Sequence, residues 1–191
     1  MSKRGHIPKP IFEPCAGGGA QLRVPKWADF EDWVNLRRAN RNYLQPWEPT
    51  WKEQHLSRQS YKSRLAQFKK MIAADTGYPF HVFRADDNRL VGACNLTHVQ
   101  RGALQCAHIG YWVGQEYARN GFARASLRAS LRFAFDDLGL HRVSAAVQAD
   151  NVASIKLLET TGFTKEGVAR SYLKIDNIWQ DHIIYAKLST D

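Results

Sequence analysis

An apolar stripe at helical spacing, set between two strand-like runs, narrows the folds open to this sequence. From Gly121 to Leu138, the residues Leu127, Leu131, Ala134, Phe135 and Leu138 recur on one helix face, and Gly139 closes the run. Cys106 to Val113 before it and Arg142 to Val147 after it read as strands. A further helix, Asn151 to Thr161, ends at Gly162; strands beginning at Phe163 and around Ile178 to Leu188 follow. Upstream, Gln21 to Val24 reads as a short strand and Asp29 to about Leu44 as a helix stopped by Pro46. A basic helix covers roughly Leu56 to Ala74, with Tyr61, Leu65, Phe68 and Ile72 near one face. Phe80 to Phe83 and Leu90 to Leu96, joined through Asp86-Asp87-Asn88, predict a hairpin. Elements in this order predict a mixed α/β layer.

At 191 residues the chain has room for one well-buried core. Residues 1–19, with Pro8, Pro10, Pro14 and Gly17-Gly18-Gly19, read as an N-terminal arm or loop, and 20–190 as a single domain. The triple glycine lacks the following Lys-Ser or Lys-Thr, and the preceding strand, that a phosphate loop needs. The basic N-terminus is not followed by an apolar stretch and no run is long enough to span a bilayer, so neither a secretory signal nor a membrane helix is expected. Three cysteines, Cys15, Cys94 and Cys106, are too few for a disulfide framework and fit a cytoplasmic, reducing setting. The net charge of +9 favours an anionic ligand or a nucleic-acid-rich neighbourhood, while the even spread of Lys and Arg fits a generally basic surface as well.

The stretch from Ile109 to Ala125 is a strand, then a loop, then a helix whose first turn holds Gly121 and Ala123. Such a junction offers unpaired backbone N–H groups and the positive end of a helix dipole, which suits a pyrophosphate. Arg119 and Arg124 flank it and are placed to add charge-assisted bonds. Gly110-Tyr111-Trp112, Asn120-Gly121-Phe122-Ala123, Asn151-x-x-Ser154 and Gly162-Phe163 fall in order and spacing. With them stand Leu36-Arg37-Arg38-Ala39-Asn40, Leu44-Gln45-Pro46-Trp47-Glu48-Pro49 and Trp179-Gln180-Asp181-His182. In these pieces the chain, over about residues 21 to 188, resembles the GNAT superfamily of acetyltransferases, in particular the ribosomal-protein N-terminal alanine acetyltransferases of the RimJ/RimL type.

The resemblance implies a GNAT fold: a central twisted, mostly antiparallel sheet with a splayed parallel strand pair, Cys106–Val113 and Arg142–Val147, flanked by helices. It implies acetyl-CoA between those strands, its arm on backbone groups of Trp112 and Val113. Amides from Arg119, Asn120, Gly121, Phe122, Ala123 and Arg124 would hold the pyrophosphate. Ala118 departs from the pattern, since many members carry Gln or Arg there. By the same resemblance Asn151 touches cofactor or acceptor and Ser154 donates a proton to the departing thiolate; Asn151 also reads as a helix N-cap after Asp150. Many members use a Tyr for that proton, and none lies between Asn151 and Gly162.

His108, ahead of Gly110-Tyr111-Trp112, is the first candidate for general base, because a neutral imidazole accepts a proton near pH 7. Asp181, His182 and Glu116 compete for that role, and simple positioning of an already neutral amine needs no base. Tyr43, Trp47 and Trp51, with Tyr111, would wall the acceptor site. Cys94, His98, Cys106 and His108 match no zinc spacing, so no metal is expected. The expected activity is N-acetylation of a primary amine, with the N-terminal alanine of a ribosomal protein as first choice and proximity to ribosomes as a consequence. A small amine, such as a polyamine, an antibiotic or a toxin, is the second choice. A CoA- or RNA-binding module without turnover is the third. Monomer and homodimer are both open.

Overall fold

Eight strands join into one sheet in the computed structural model, which describes residues 5–191. They are β1 (Ile11–Glu13), β2 (Ala20–Arg23), β3 (Tyr78–Arg84), β4 (Leu90–Gln100), β5 (Cys106–Val113), β6 (Arg142–Gln148), β7 (Thr164–Ile175) and β8 (Ile178–Leu188), in the order β1-β2-β3-β4-β5-β6-β8-β7. Every neighbouring pair is antiparallel except β5–β6. The helices are α1 (Phe30–Ala39), α2 (Arg41–Leu44), α3 (Arg58–Ala73), α4 (Phe122–Arg132) and α5 (Val152–Thr160).

The sheet is covered on both faces, which is why β3 and the start of β4 read as nearly unbroken apolar runs. Tyr78, Phe80 and Val82 join Leu127, Ala134 and Leu158 in one core, while Phe83 and Leu90 join Phe30, Trp33 and Tyr61 in another. Residues two apart on a strand share a face, so alternation sorts the side chains between the two cores. Outermost β7 has mostly exposed side chains, as an edge strand should.

Three local features depart from the sequence reading. The segment expected as an arm supplies β1, which pairs with β2 through Phe12↔Gln21, and its Glu13 holds Arg132 at 2.7 Å; residues 1–4 lie outside the described part. The helix expected over 29–44 breaks at buried Asn40. Its amide donates to the Leu36 carbonyl (2.9 Å) and the Glu116 carboxylate (3.2 Å), and its oxygen accepts from Gln115 N–H (2.6 Å). An Asn side chain that captures backbone groups competes with the helix ladder. The helix expected to Leu138 leaves α geometry after Arg132 for a wider π turn, in which Leu138 N–H donates to the Phe133 carbonyl at 3.0 Å.

The parallel pair positions the site. β5 and β6 bond only at Cys106↔Arg142, Ala107↔Val143 and His108↔Ser144. Beyond that point β6 stays with β8 as far as Gln148↔His182, while β5 stays with β4 to Gly92↔Val113. The two strands therefore part, and the edges of β5 and β6 that face the gap carry backbone groups with no strand partner.

Candidate active site

The gap between the parted strands opens into a cavity of about 170 Å³, with Trp47, Gly110, Tyr111, Gln148, Ser154 and His182 among its lining. Across it the Tyr111 hydroxyl of β5 meets the Ser154 hydroxyl of α5 at 2.6 Å. Burial pushes the Tyr111 phenol well above the usual tyrosine range, against the pull of its Ser154 bond, so it keeps its proton at any working pH. Two hydroxyls in contact, one of them held protonated, make a relay that can hand a proton to an anion formed in the cavity. Sequence spacing could not pair them, because 43 residues separate them and they sit on different elements.

Ser154 is aimed by Asn151, whose side-chain oxygen accepts from the Ser154 backbone N–H at 3.1 Å and caps α5. Asn151 lines the cavity as well, so its capping and site readings coincide.

His108 stands where β5 and β6 still pair, and it does not line the cavity. Its ring lies edge-on to His98 at 5.6 Å; burial first, then His98 and Arg142, hold it below the ordinary histidine range. The imidazole in the cavity is instead His182 of β8, only 3% exposed, with Nδ1 3.0 Å from the Gln180 carbonyl. The competing residue Asp181 is exposed and accepts from Ser171 N–H at 2.7 Å; Glu116 is taken up by Asn40.

At the far side of the gap, α4 begins without a side-chain cap. Gly121 precedes it at φ +85, a conformation that L side chains rarely adopt, and Arg119 also has positive φ at 63. The amides of Phe122, Ala123 and Arg124 begin the helix, so no intrahelical carbonyl lies ahead of them. Arg119, Asn120 and Arg124 are exposed, and the turn is open on that side. From behind it is buttressed by the glycine segment: Gly17 N–H donates to the Asn120 carbonyl at 2.9 Å, and a Cβ at Gly17 would meet the Phe122 ring at 2.6 Å. The triple glycine thus serves close packing behind the turn. Arg124 reaches Thr160 at 3.3 Å. Trp112 and Val113 pair with Ala93 and Gly92 on one side and leave their other backbone edge toward the gap. A bare helix start beside an unpaired strand edge fits a diphosphate carried on an amide-rich arm.

The roof is the segment from Gln45 to Trp51. Gln148 donates to the Pro46 carbonyl at 3.0 Å, and Thr50 bonds Asp176 of the β7–β8 turn. Glu48 binds the Arg37 guanidinium through both oxygens and accepts from Trp51 Nε1 at 2.6 Å. Arg37 stacks over Trp51 and Trp112 at 4.9 and 5.1 Å, tying the roof to β5. Of the expected acceptor wall, Trp47 and Tyr111 line the cavity, Trp51 is buried in the helix-side core, and Tyr43 is partly exposed on α2. Cys94 is bonded to Ser130 at 3.2 Å and its thiol is pushed up to about 12 by burial. Among the described residues no three metal-ligating side chains converge. No helix among them is long and apolar enough to cross a membrane.

Comparison with known proteins adds sequence and shape. The acetyltransferase (GNAT) domain family matches residues 20–164. The ribosomal protein uS5-alanine N-acetyltransferase of Escherichia coli (strain K12) is 32% identical over 152 residues, 80% of this chain and 78% of that protein. Among solved structures, Mycobacterium smegmatis RimJ in complex with CoA-disulfide superposes with a TM-score of 0.93 at 29% identity, covering 100% of this chain and 91% of that one. The ribosomal-protein-S5-alanine acetyltransferase from Vibrio fischeri gives 0.84 at 30% identity, over 90% of this chain and 94% of its own.

Proposed function

Because the chain belongs to the GNAT acetyltransferase family, we propose that it moves the acetyl group of acetyl-CoA to a primary amine by direct attack, and that the amine is the N-terminal alanine of a ribosomal protein. The observation that carries the chemistry is the Tyr111–Ser154 hydroxyl pair inside the gap where β5 and β6 part. Acetyl-CoA, as co-substrate, supplies an activated thioester. Trp112 and Val113 offer backbone groups to its arm, and the amides of 119–124 offer bonds to its pyrophosphate. Asn151 holds Ser154, and the Ser154–Tyr111 pair protonates the departing thiolate. Trp47 walls the acceptor side. The acceptor reading is supported by the name of the Escherichia coli relative, by the match to Mycobacterium smegmatis RimJ, and by a net charge of +9, which suits work near ribosomes. One domain over 20–190 carries the activity, in the cytoplasm, where its three free cysteines stay reduced.

The test is thiol release from acetyl-CoA with peptides that begin with alanine, serine or methionine and with a panel of polyamines and aminoglycosides. Release with the alanine peptide, and an acetyl mass shift on its α-amine, is the expected result. Release with small amines alone would overturn the acceptor, and CoA binding without release from any amine would overturn the enzyme.

A further inference from the structure

We infer that His182 is the catalytic base that takes the proton from the acceptor's ammonium, an inference that rests on the acetyltransferase reading above. An α-amine arrives mostly protonated at neutral pH and has no lone pair to attack with until it loses that proton. Among the residues lining the cavity only Tyr111 and His182 carry titratable side chains; no carboxylate and no lysine lines it. Tyr111 keeps its proton and belongs to the leaving-group side. His182 is left, and its local structure prepares it. The Gln180 carbonyl can only accept, so the Nδ1 contact at 3.0 Å places the neutral ring's proton on Nδ1. Nε2 is then the ring's acceptor.

The surroundings keep the ring in place. Register sets His182 opposite Gln148 of β6 and Ala169 of β7, and the Tyr172 ring of β7 packs edge-on at 5.7 Å. Tyr172 of β7 is the titratable group in ring contact with the histidine, and Tyr111 of β5 is the one that shares its cavity. β6 contributes Gln148, α5 contributes Asn151 and Ser154, and the roof contributes Trp47, all uncharged.

The step balances as follows. Nε2 takes one proton from the ammonium, and the freed lone pair attacks the thioester carbon. The C–N bond forms and the C–S bond breaks, with the electron pair leaving on sulfur. The thiolate takes a proton from the Tyr111–Ser154 pair, and the second proton of the new amide nitrogen restores that pair. His182 passes the proton it took to solvent, so that one proton in all is released.

His182→Asn is the informative variant, because its amide nitrogen stands where Nδ1 does and keeps the Gln180 bond while removing the base. His182→Gln, which removes Nδ1 instead, repeats the comparison if the first variant does not fold. With the alanine peptide, the variants fall about 100-fold in kcat/KM at pH 7 and their profile follows the amine's own ionisation alone, displaced from that of wild type, while CoA binding by calorimetry changes less than twofold. A profile that survives unchanged in both variants overturns the assignment with the function intact. No thiol release by wild type with any amine overturns the function, and the base with it.

Discussion

Tyr111 and Ser154 illustrate how little a residue's own type reveals about its work. Each hydroxyl is ordinary; contact across the parted strands and burial of the phenol are what the proposed role as proton source rests on. Tyr111→Phe and Ser154→Ala should each lower kcat by about 100-fold, the order expected for one positioned proton donor. CoA affinity by calorimetry should hardly move. Because the two act as one relay, the double variant should be little worse than either single one, whereas independent roles would multiply. Asn151→Ala removes the α5 cap, worth about 1 kcal/mol. It should also unsettle Ser154, so the melting temperature and kcat should fall together.

Two elements set the distances between those residues. The turn before α4 depends on Gly121, since a side chain at φ +85 is strained and its Cβ would stand 3.1 Å from that of Cys15. Gly121→Val should therefore weaken CoA binding at least tenfold while the alanine peptide, where any turnover is measured at saturating acetyl-CoA, keeps its KM. The Gln45–Trp51 roof depends instead on Glu48, which satisfies Arg37 and Trp51 at once. Glu48→Ala leaves a largely buried guanidinium without its partner, a loss of about 1–3 kcal/mol after allowance for its partial exposure. The expected signature is opposite to that of the turn: a raised KM for the peptide and unchanged CoA affinity. A loss of CoA affinity in this variant would show that the roof shapes the donor site too.

For the molecule as a whole, the response to acid is expected to come from buried groups that do not line the cavity. Buried His81 lies 3.5 Å from Asp29, and burial holds it below the ordinary histidine range despite that carboxylate. His108 is lowered likewise. A histidine with a depressed folded pKa lends stability above its unfolded value, near 6.5, and that stability drains away as pH falls. Asp29 adds a second loss at lower pH. Burial works to raise it, but His81, Arg23 and the Lys26 amide hold it well below the usual carboxylate range. The urea midpoint should fall from pH 8 to pH 5, and His81→Gln should flatten that slope; an unchanged slope would place the acid response elsewhere. The same whole-molecule view separates what was legible in the chain from what was not. The apolar periods of α4 and of the strands, the Gly121 turn and the Asn151 cap are local signals, written within a few residues of where they act, and the structure keeps each of them, with α4 giving way to a π turn after Arg132. The break at Asn40 and the Tyr111–Ser154 pair rest on contacts across 75 and 43 residues, and the service of the glycine segment behind the turn and the seat of His182 likewise join separate elements. Sequence put His108 ahead of His182 as the base; the point at which β5 and β6 stop pairing decides which imidazole lines the cavity. The sequence by itself determined the elements and the glycine turn ahead of α4, because their physics is short-range. The choice of catalytic groups came from the tertiary structure, because proximity across a sheet has no period along the chain.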